Sequence, residues 1–414
     1  MKNKTFISVL LLISFGCIFL SACTGSNITK QTEISTDVTT TSVASNMSTG
    51  LTVTDYNHKA NADTEFILGQ DDQPFFISKM GMCISNGSGD YRFYRNSLYF
   101  YDYNAGITVP LCNKPDCDHN VDVDDSTCNA FFPEENYFFD KGYSYYDGCL
   151  YLLGQGNESK YSVSLYKISL DGASREEVCK LFEVSDFNSI GVFTIHRGFA
   201  FWSLNTEDGA QLYRMNLEDK RIECVFAVDK AAGYILRFIG AGDYLYFSYS
   251  FAEDVNMEKW TGYICRLDIY SGKTGELVNT RSCYAVLDNK LFYLKDNNIM
   301  CADVDGNNEA EFTEIPEDST LIVSDGENLY LTNWDNGITN PSEYKVFIFS
   351  SDGIELDAIS ISDCDFFCGV SMENIYIETK DRTLSFLSKS QIGSKNHNWE
   401  TFFTIAENGA IILN

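Results

Sequence analysis

SYYDGCLYLLGQGNESKYSVSLYKISLDGASREEVC, residues 144–179, decides the fold. Tyr143 to Tyr146 reads as a short aromatic strand, Asp147-Gly148 as a hairpin turn, and Cys149 to Leu153 as a second strand ending at Gly154. A polar loop follows. Ser162 to Leu170 then alternates as a third strand, Asp171-Gly172 turns the chain again, and Glu176 to Phe182 supplies a fourth. Four short antiparallel strands of this kind make one propeller blade, which cannot bury both faces alone and needs neighbours.

The unit recurs along the chain. Second strands read at Tyr91 to Tyr94, Leu150 to Leu152, Phe199 to Phe201, Leu245 to Phe247, Leu291 to Tyr293, Leu329 to Leu331 and Ile375 to Ile377. Third strands follow at Leu98-Tyr99, Leu165-Tyr166, Leu212-Tyr213, Ile264-Cys265, Ile299-Met300, Phe347-Ile348 and Leu384 to Phe386. Most second strands are preceded by a turn signal such as Arg197-Gly198, Asp288-Asn289 or Asp325-Gly326. The spacing approaches the roughly 40 to 50 residues of propeller repeats, with one insertion in the first interval. The expectation is an all-β chain with a single β-propeller of seven four-stranded blades over residues 55–414. Thr401 to Ile405 and Ala410 to Leu413 compete for the last outer strand, and Thr64 to Leu68 or Phe75 to Ser78 are alternatives from the N-terminal side, so six or eight blades are the alternative counts. Long amphipathic helical patterns are absent, against an α/β enzyme or a helical receptor.

Residues 1–22 open with Lys2 and Lys4, continue through an apolar run around Val9 to Ile13, and end in Leu20-Ser21-Ala22 before Cys23. This is an export signal with a small-residue cleavage site, resembling the bacterial lipoprotein signal with Cys23 at the lipidated position. Residues 24–54 are rich in Ser and Thr without apolar periodicity, so they read as a tether with ends roughly 30 Å apart. Localisation on the outer face of the cell membrane follows as the expectation.

Asp and Glu number 59 against 30 Lys and Arg, for a formal charge of -29; loss of Lys2 and Lys4 with the signal leaves -31. Such a surface repels phosphate backbones, so nucleic acid is not an expected partner. The aromatic residues fall mostly within strands, where core packing accounts for them.

One constellation stands above the repeat, the Cys-rich insertion at 111–131. It holds Cys112-Asn113-Lys114-Pro115-Asp116-Cys117-Asp118-His119 and, further on, Cys128-Asn129-Ala130. Three thiols and an imidazole can surround a structural zinc, although Cys-x4-Cys-x-His-x8-Cys is not a standard finger spacing. A disulfide between two of the three cysteines is the competing reading for an exported chain. Cys149, Cys179, Cys224, Cys265, Cys283 and Cys301 read as small buried hydrophobes within strands, and so many unpaired thiols in an exported protein suggest a host living without much oxygen.

The lipobox, the Ser/Thr tether, the segment Leu111 to His119 and Cys128-Asn129-Ala130 together resemble the uncharacterised propeller lipoproteins of anaerobic Gram-positive bacteria. The resemblance spans essentially the whole chain and is most specific in the cysteine segment. It implies a propeller held at the outer membrane face and carries no established activity.

Catalytic signatures are missing: neither Gly-x-Ser-x-Gly nor His-Glu-x-x-His occurs. Asp303-Val304-Asp305-Gly306-Asn307 lacks the closing Glu of a calcium loop and reads as a hairpin turn. His196, beside a turn, reads as exposed. A binding or interaction module for polysaccharide, peptide or envelope protein is favoured over an enzyme. The alternative is a hydrolase or lyase using dispersed acidic channel residues, and an accessory role in envelope assembly is a third option. The loops between second and third strands are long in blade four, Ser248 to Gly262, and in blade six, Asn333 to Glu343. Trp202, Trp260 and Trp334 lie in or beside such loops and are the candidate ligand-binding residues, expected on the same end of the ring as His119.

Overall fold

The turns carry the backbone conformations that tight hairpins require. Asp147 and Gly148 have φ of 44° and 71°, Arg197 and Gly198 46° and 80°, and Asp288 and Asn289 49° and 58°. Two consecutive left-handed residues match the twist of the flanking strands in a type I′ turn. In the computed structural model these turns join the strands into seven antiparallel sheets, each built from strands consecutive in the chain. The structure describes residues 65–73, 83–94, 96–119, 127–133, 135–206, 209–230, 232–254, 256–296, 298–314, 316, 319–332, 344–361, 364–406 and 411–413.

Blade 1 comprises Cys83–Ser85, Gly89–Tyr94, Ser97–Asp102 and Ile107–Pro110; blade 2 comprises Tyr143–Tyr146, Cys149–Gln155, Ser162–Ser169 and Arg175–Glu183. Blades 3 to 7 begin with Ile190–His196, Tyr234–Ala241, Tyr284–Leu287, Leu321–Ser324 and Cys364–Val370. Each second and third strand read from the sequence falls inside an observed strand in the expected blade. The first strands are innermost and lie against one another. Burial follows: Gly89–Tyr94 is buried throughout, whereas the outer strand Glu355–Ser360 is mostly exposed.

Seven apolar clusters fill the spaces between blades, one for each neighbouring pair. They join blades 1 and 2, 2 and 3, 3 and 4, 4 and 5, 5 and 6, 6 and 7, and 7 and 1. Among the described residues each blade packs against both of its neighbours, which a blade with two apolar faces requires. Asp-Gly turns at the outer rim set the blade spacing. A Cβ on Gly172, whose φ is +70°, would come within 2.2 Å of the Leu111 carbonyl oxygen of the preceding blade.

Closure departs from the expectation of competing strands. Glu400–Ile405 is the fourth strand of blade 7, and Ile411–Leu413 pairs outside it as a fifth. The two segments are neighbours rather than rivals. Residues 65–68 form no strand, and Phe75 to Ser78 lies outside the described residues. Blade 7 thus takes no strand from the N-terminal side among the described residues, and side chains hold the seam. Asp90, fully buried in blade 1, accepts hydrogen bonds from Ser85, Tyr103 (2.6 Å), Ser371 (2.9 Å), Asn374 (3.1 Å) and Tyr376. The last three belong to blade 7 or its first turn. Burial, and then the charge of Asp90, keep the Tyr376 hydroxyl protonated well above its ordinary range.

A segment with no sequence signal crosses the end of the ring that carries the turns between first and second strands, here called the hairpin end. Gly69 O accepts from Asp147 N (2.8 Å) and Gln70 O from Arg197 N (2.7 Å). The Gln73 amide exchanges two hydrogen bonds with the Ser85 backbone, at 2.8 and 2.9 Å. Asp72 accepts from Thr194 and from Gly240 N (3.1 Å), and its own N–H donates to His196 Nδ1 (3.0 Å). Adjacent residues that reach the innermost strands of blades 1, 3 and 4 must lie within the mouth of the ring. Asp71 pairs with Arg197 at 2.7 Å, and Arg197 reaches Asp243 at 2.9 Å.

His196 is therefore buried, not exposed as its turn position suggested. Its Nδ1 accepts a hydrogen bond, so the proton sits on Nε2 and donates to Gly242 O at 2.7 Å. Burial lowers its pKa to about 4 despite the nearby Asp71 charge, and burial raises Asp72 to about 6. The depressed histidine stabilises the fold above its unfolded value, and that stability is lost as pH falls towards 4. The raised carboxyl favours the fold at low pH, and that contribution is lost as pH rises through 6. Between these values the two contributions oppose each other.

Replacing Asp90 by Ala leaves buried hydroxyl and amide donors unpaired on both sides of the seam. The expected cost is about 3 kcal/mol or more in urea unfolding. Asp116→Ala, at an exposed carboxylate, is expected to stay within about 0.5 kcal/mol of the parent.

Candidate metal centre and the loop end

The cysteine segment leaves blade 1 at Pro110 and folds back on the tight turn between that blade's second and third strands. Leu111 N donates to Leu98 O (2.9 Å), and Cys112 N to Pro110 O (2.8 Å). Pro115 and Asp116 form the corner of a turn closed by Cys117 N donating to Lys114 O (3.3 Å). The returning limb docks by Leu98 N to Ala130 O (2.9 Å), Phe132 N to Asn96 O (2.6 Å) and a bridge between Ser97 and Phe131. Cys128, Ala130 and Phe131 are buried in the cluster that joins blades 7 and 1. This is the loop end, opposite the strap at residues 67–73.

All four sequence-predicted residues meet. One ligand atom each from Cys112, Cys117, His119 and Cys128 lies within 4.8 Å of every other. His119 Nδ1 stands 3.8 Å from Cys128 Sγ. His119 takes a left-handed φ of 53°, a conformation that costs a non-glycine residue energy. Its backbone N–H donates to Cys117 Sγ at 3.4 Å. Burial opposes ionisation of Cys112, but hydrogen bonds from the backbone of Lys114 and Asn129 and from the other two thiols outweigh it and bring its pKa down to about 7. Burial pushes Cys128 up to about 12, and the neighbouring sulfurs add to it. The arrangement offers soft donors converging on one point.

The returning limb also walls a cleft of about 440 Å³, lined among others by Asn129, Asn136, Tyr137, Ser174 and Arg175. Arg175 lies over the Phe132 ring at 3.8 Å and donates to Asn129 O, tying the turn of blade 2 to the cysteine segment. Sequence reading missed Arg175, because its partner lies 46 residues away.

The three tryptophans separate. Trp202 is 1% exposed and packs between Phe182 and Tyr213, with ring centroids at 5.7 and 5.6 Å. Its strand continues to Thr206, so the residue sits mid-strand in the core and offers no ligand surface; that expectation is corrected. Trp334 lies outside the described residues, as does the whole blade six loop from Asn333 to Glu343. Trp260 is half-buried at the start of the third strand of blade 4, on the loop end. Its Nε1 donates to Met257 O (2.9 Å), its ring lies 5.4 Å from Tyr234, and the Arg281 guanidinium sits 5.2 Å from its centroid. Tyr234 and Arg281 carried no sequence signal. The blade four loop itself is shorter than expected, since strands extend to Ala252 and resume at Trp260.

The other cysteines also differ from the expectation of uniform burial. Cys265 is buried, Cys224 is exposed, and Cys149, Cys179, Cys283 and Cys301 are intermediate.

No protein-family model matches the chain, and no curated protein matches it. Several solved structures are similar to it at low identity. A chain of the mitotic checkpoint complex aligns over 81% of this chain and 97% of its own, at 12% identity and a TM-score of 0.46. Oligogalacturonate lyase from Vibrio parahaemolyticus aligns over 78% of this chain and 85% of its own, at 12% identity and 0.44. Dipeptidyl peptidase 4 from Porphyromonas gingivalis aligns over 80% of this chain and 53% of its own, at 9% identity and 0.43. This likeness extends to the fold alone.

Thiol reactivity follows thiolate content. In reduced, metal-free protein at neutral pH, Cys112 is expected to react with iodoacetamide about tenfold or more ahead of Cys128. Peptide mapping of the labelled sites checks the order, and equal rates contradict it.

Proposed function

We propose that the chain is a lipid-anchored, extracytoplasmic propeller that binds a polysaccharide, peptide or envelope protein through its loop end. The observation that carries this reading is the half-exposed Trp260, flanked by Tyr234 and Arg281. A flat aromatic surface beside a guanidinium suits both sugar stacking and protein hot spots. The buried carboxylates Asp71, Asp72 and Asp90 are spent on structural hydrogen bonds, which leaves a hydrolase or lyase acting through dispersed channel acids without specific support. The charge of -29 disfavours a nucleic-acid ligand.

The anchor is tested by fractionation. Cys23→Ala is expected to release the protein to the medium or leave its precursor unprocessed, because the acyl chains are the proposed attachment. Unchanged retention after a salt wash contradicts the anchor.

The binding face is tested by screening envelope polysaccharides and surface proteins against the purified chain, followed by Trp260→Ala. The variant is expected to bind about tenfold or more weakly, with its melting temperature within about 2 °C of the parent. A bound partner whose affinity ignores Trp260 places the site elsewhere.

A further inference from the structure

We propose that Cys112, Cys117, His119 and Cys128 form a closed structural zinc site that pins the two limbs of the cysteine segment together. The proposal is independent of the binding reading above. Its first support is convergence: three sulfurs and one ring nitrogen lie within 4.8 Å of one another. At zinc–sulfur distances of about 2.3 Å, tetrahedral sulfurs stand roughly 3.8 Å apart, so the ligands need move by only about 1 Å to close on an ion. A disulfide uses two sulfurs and accounts for neither the third nor the imidazole.

The backbone supplies the second support. The backbone N–H of His119 donates to Cys117 Sγ at 3.4 Å. A neutral thiol or a disulfide sulfur is a weak acceptor, whereas a thiolate repays such donors. His119 holds a left-handed backbone, and that cost is recovered if its imidazole completes the fourth position.

Donor type selects the metal. Three thiolates and one imidazole in a tetrahedral set favour zinc over the oxygen-seeking calcium and magnesium. Four protein ligands leave no position for water or substrate, so the site is structural and not catalytic. On binding, three thiol protons pass to solvent and the neutral imidazole donates its Nδ1 lone pair, leaving Nε2 protonated. Cys112 and Cys117 come from the outgoing limb and Cys128 from the returning one. The ion would therefore fix Thr127 to Asn129, which wall the Arg175 cleft.

The test uses the full chain, recovered anaerobically from membranes without chelator. Native mass spectrometry is expected to show one zinc per chain, and zinc-stripped protein reloaded with cobalt is expected to show the charge-transfer and ligand-field bands of tetrahedral thiolate cobalt. Cys117→Ser and His119→Ala should lose the metal, while Cys224→Ser, at an exposed thiol outside the site, should keep it. Wild-type protein that carries no metal, or that maps with a disulfide between any two of the three cysteines, overturns the proposal. So does zinc retained in full by both site variants. Should a site variant fail to fold, the wild-type stoichiometry and cobalt spectrum decide alone.

Discussion

The whole ring depends on the seam where blade 7 meets blade 1. A propeller blade is stable only when both faces are covered, so an opening at one junction exposes two apolar faces at once. Here the last blade is completed by Glu400–Ile405 and Ile411–Leu413, both C-terminal. Among the described residues, closure therefore rests on side chains. Asp90 gathers donors from both blades, and Phe403 packs at a tilt against Tyr94 and Tyr99, with ring centroids at 5.0 and 5.5 Å. The aromatic contacts supply area, and the carboxylate supplies register: sliding blade 7 by one residue would turn Tyr376 away and leave a buried charge short of donors. The Gln73 amide adds to this by pairing with the Ser85 backbone beside Asp90.

The two ends of the ring then have different work. At the hairpin end, residues 67–73 bind the innermost strands, and their carboxylates and amides are consumed by that packing. At the loop end, the cysteine segment and Trp260 stand on turns that the blades hold rigid. The cysteine segment is joined to the seam as well, since Cys128 and Phe131 belong to the cluster between blades 7 and 1. An ion that fixes this segment would also stiffen the junction that closes the ring.

What was legible in the sequence was what is local. Alternating strands and Asp-Gly or Arg-Gly turns act over a few residues, so the placement of second and third strands could be read directly, whereas the ring's closure, and with it the blade count, was left open by the competing terminal segments. The four converging residues of the cysteine segment could be read for the same reason. Contacts made across the ring were not legible. Asp71-Asp72-Gln73 looks like any polar turn, and only the fold brings it to Thr194 and Gly240. His196 was misjudged because a turn neighbour is usually exposed, while here the strap covers it. Trp202 was misjudged because Ser203, Asn205 and Thr206 resemble a loop, yet they continue the strand.

The most direct measurement of the account is an anomalous difference map, collected at the zinc edge from crystals of natively purified protein. A single peak at bonding distance from the three sulfurs and His119 Nδ1 is the predicted result, with the cleft wall at Thr127 to Asn129 ordered around it. Continuous density linking two of the sulfurs, with no anomalous peak between the limbs, would contradict it.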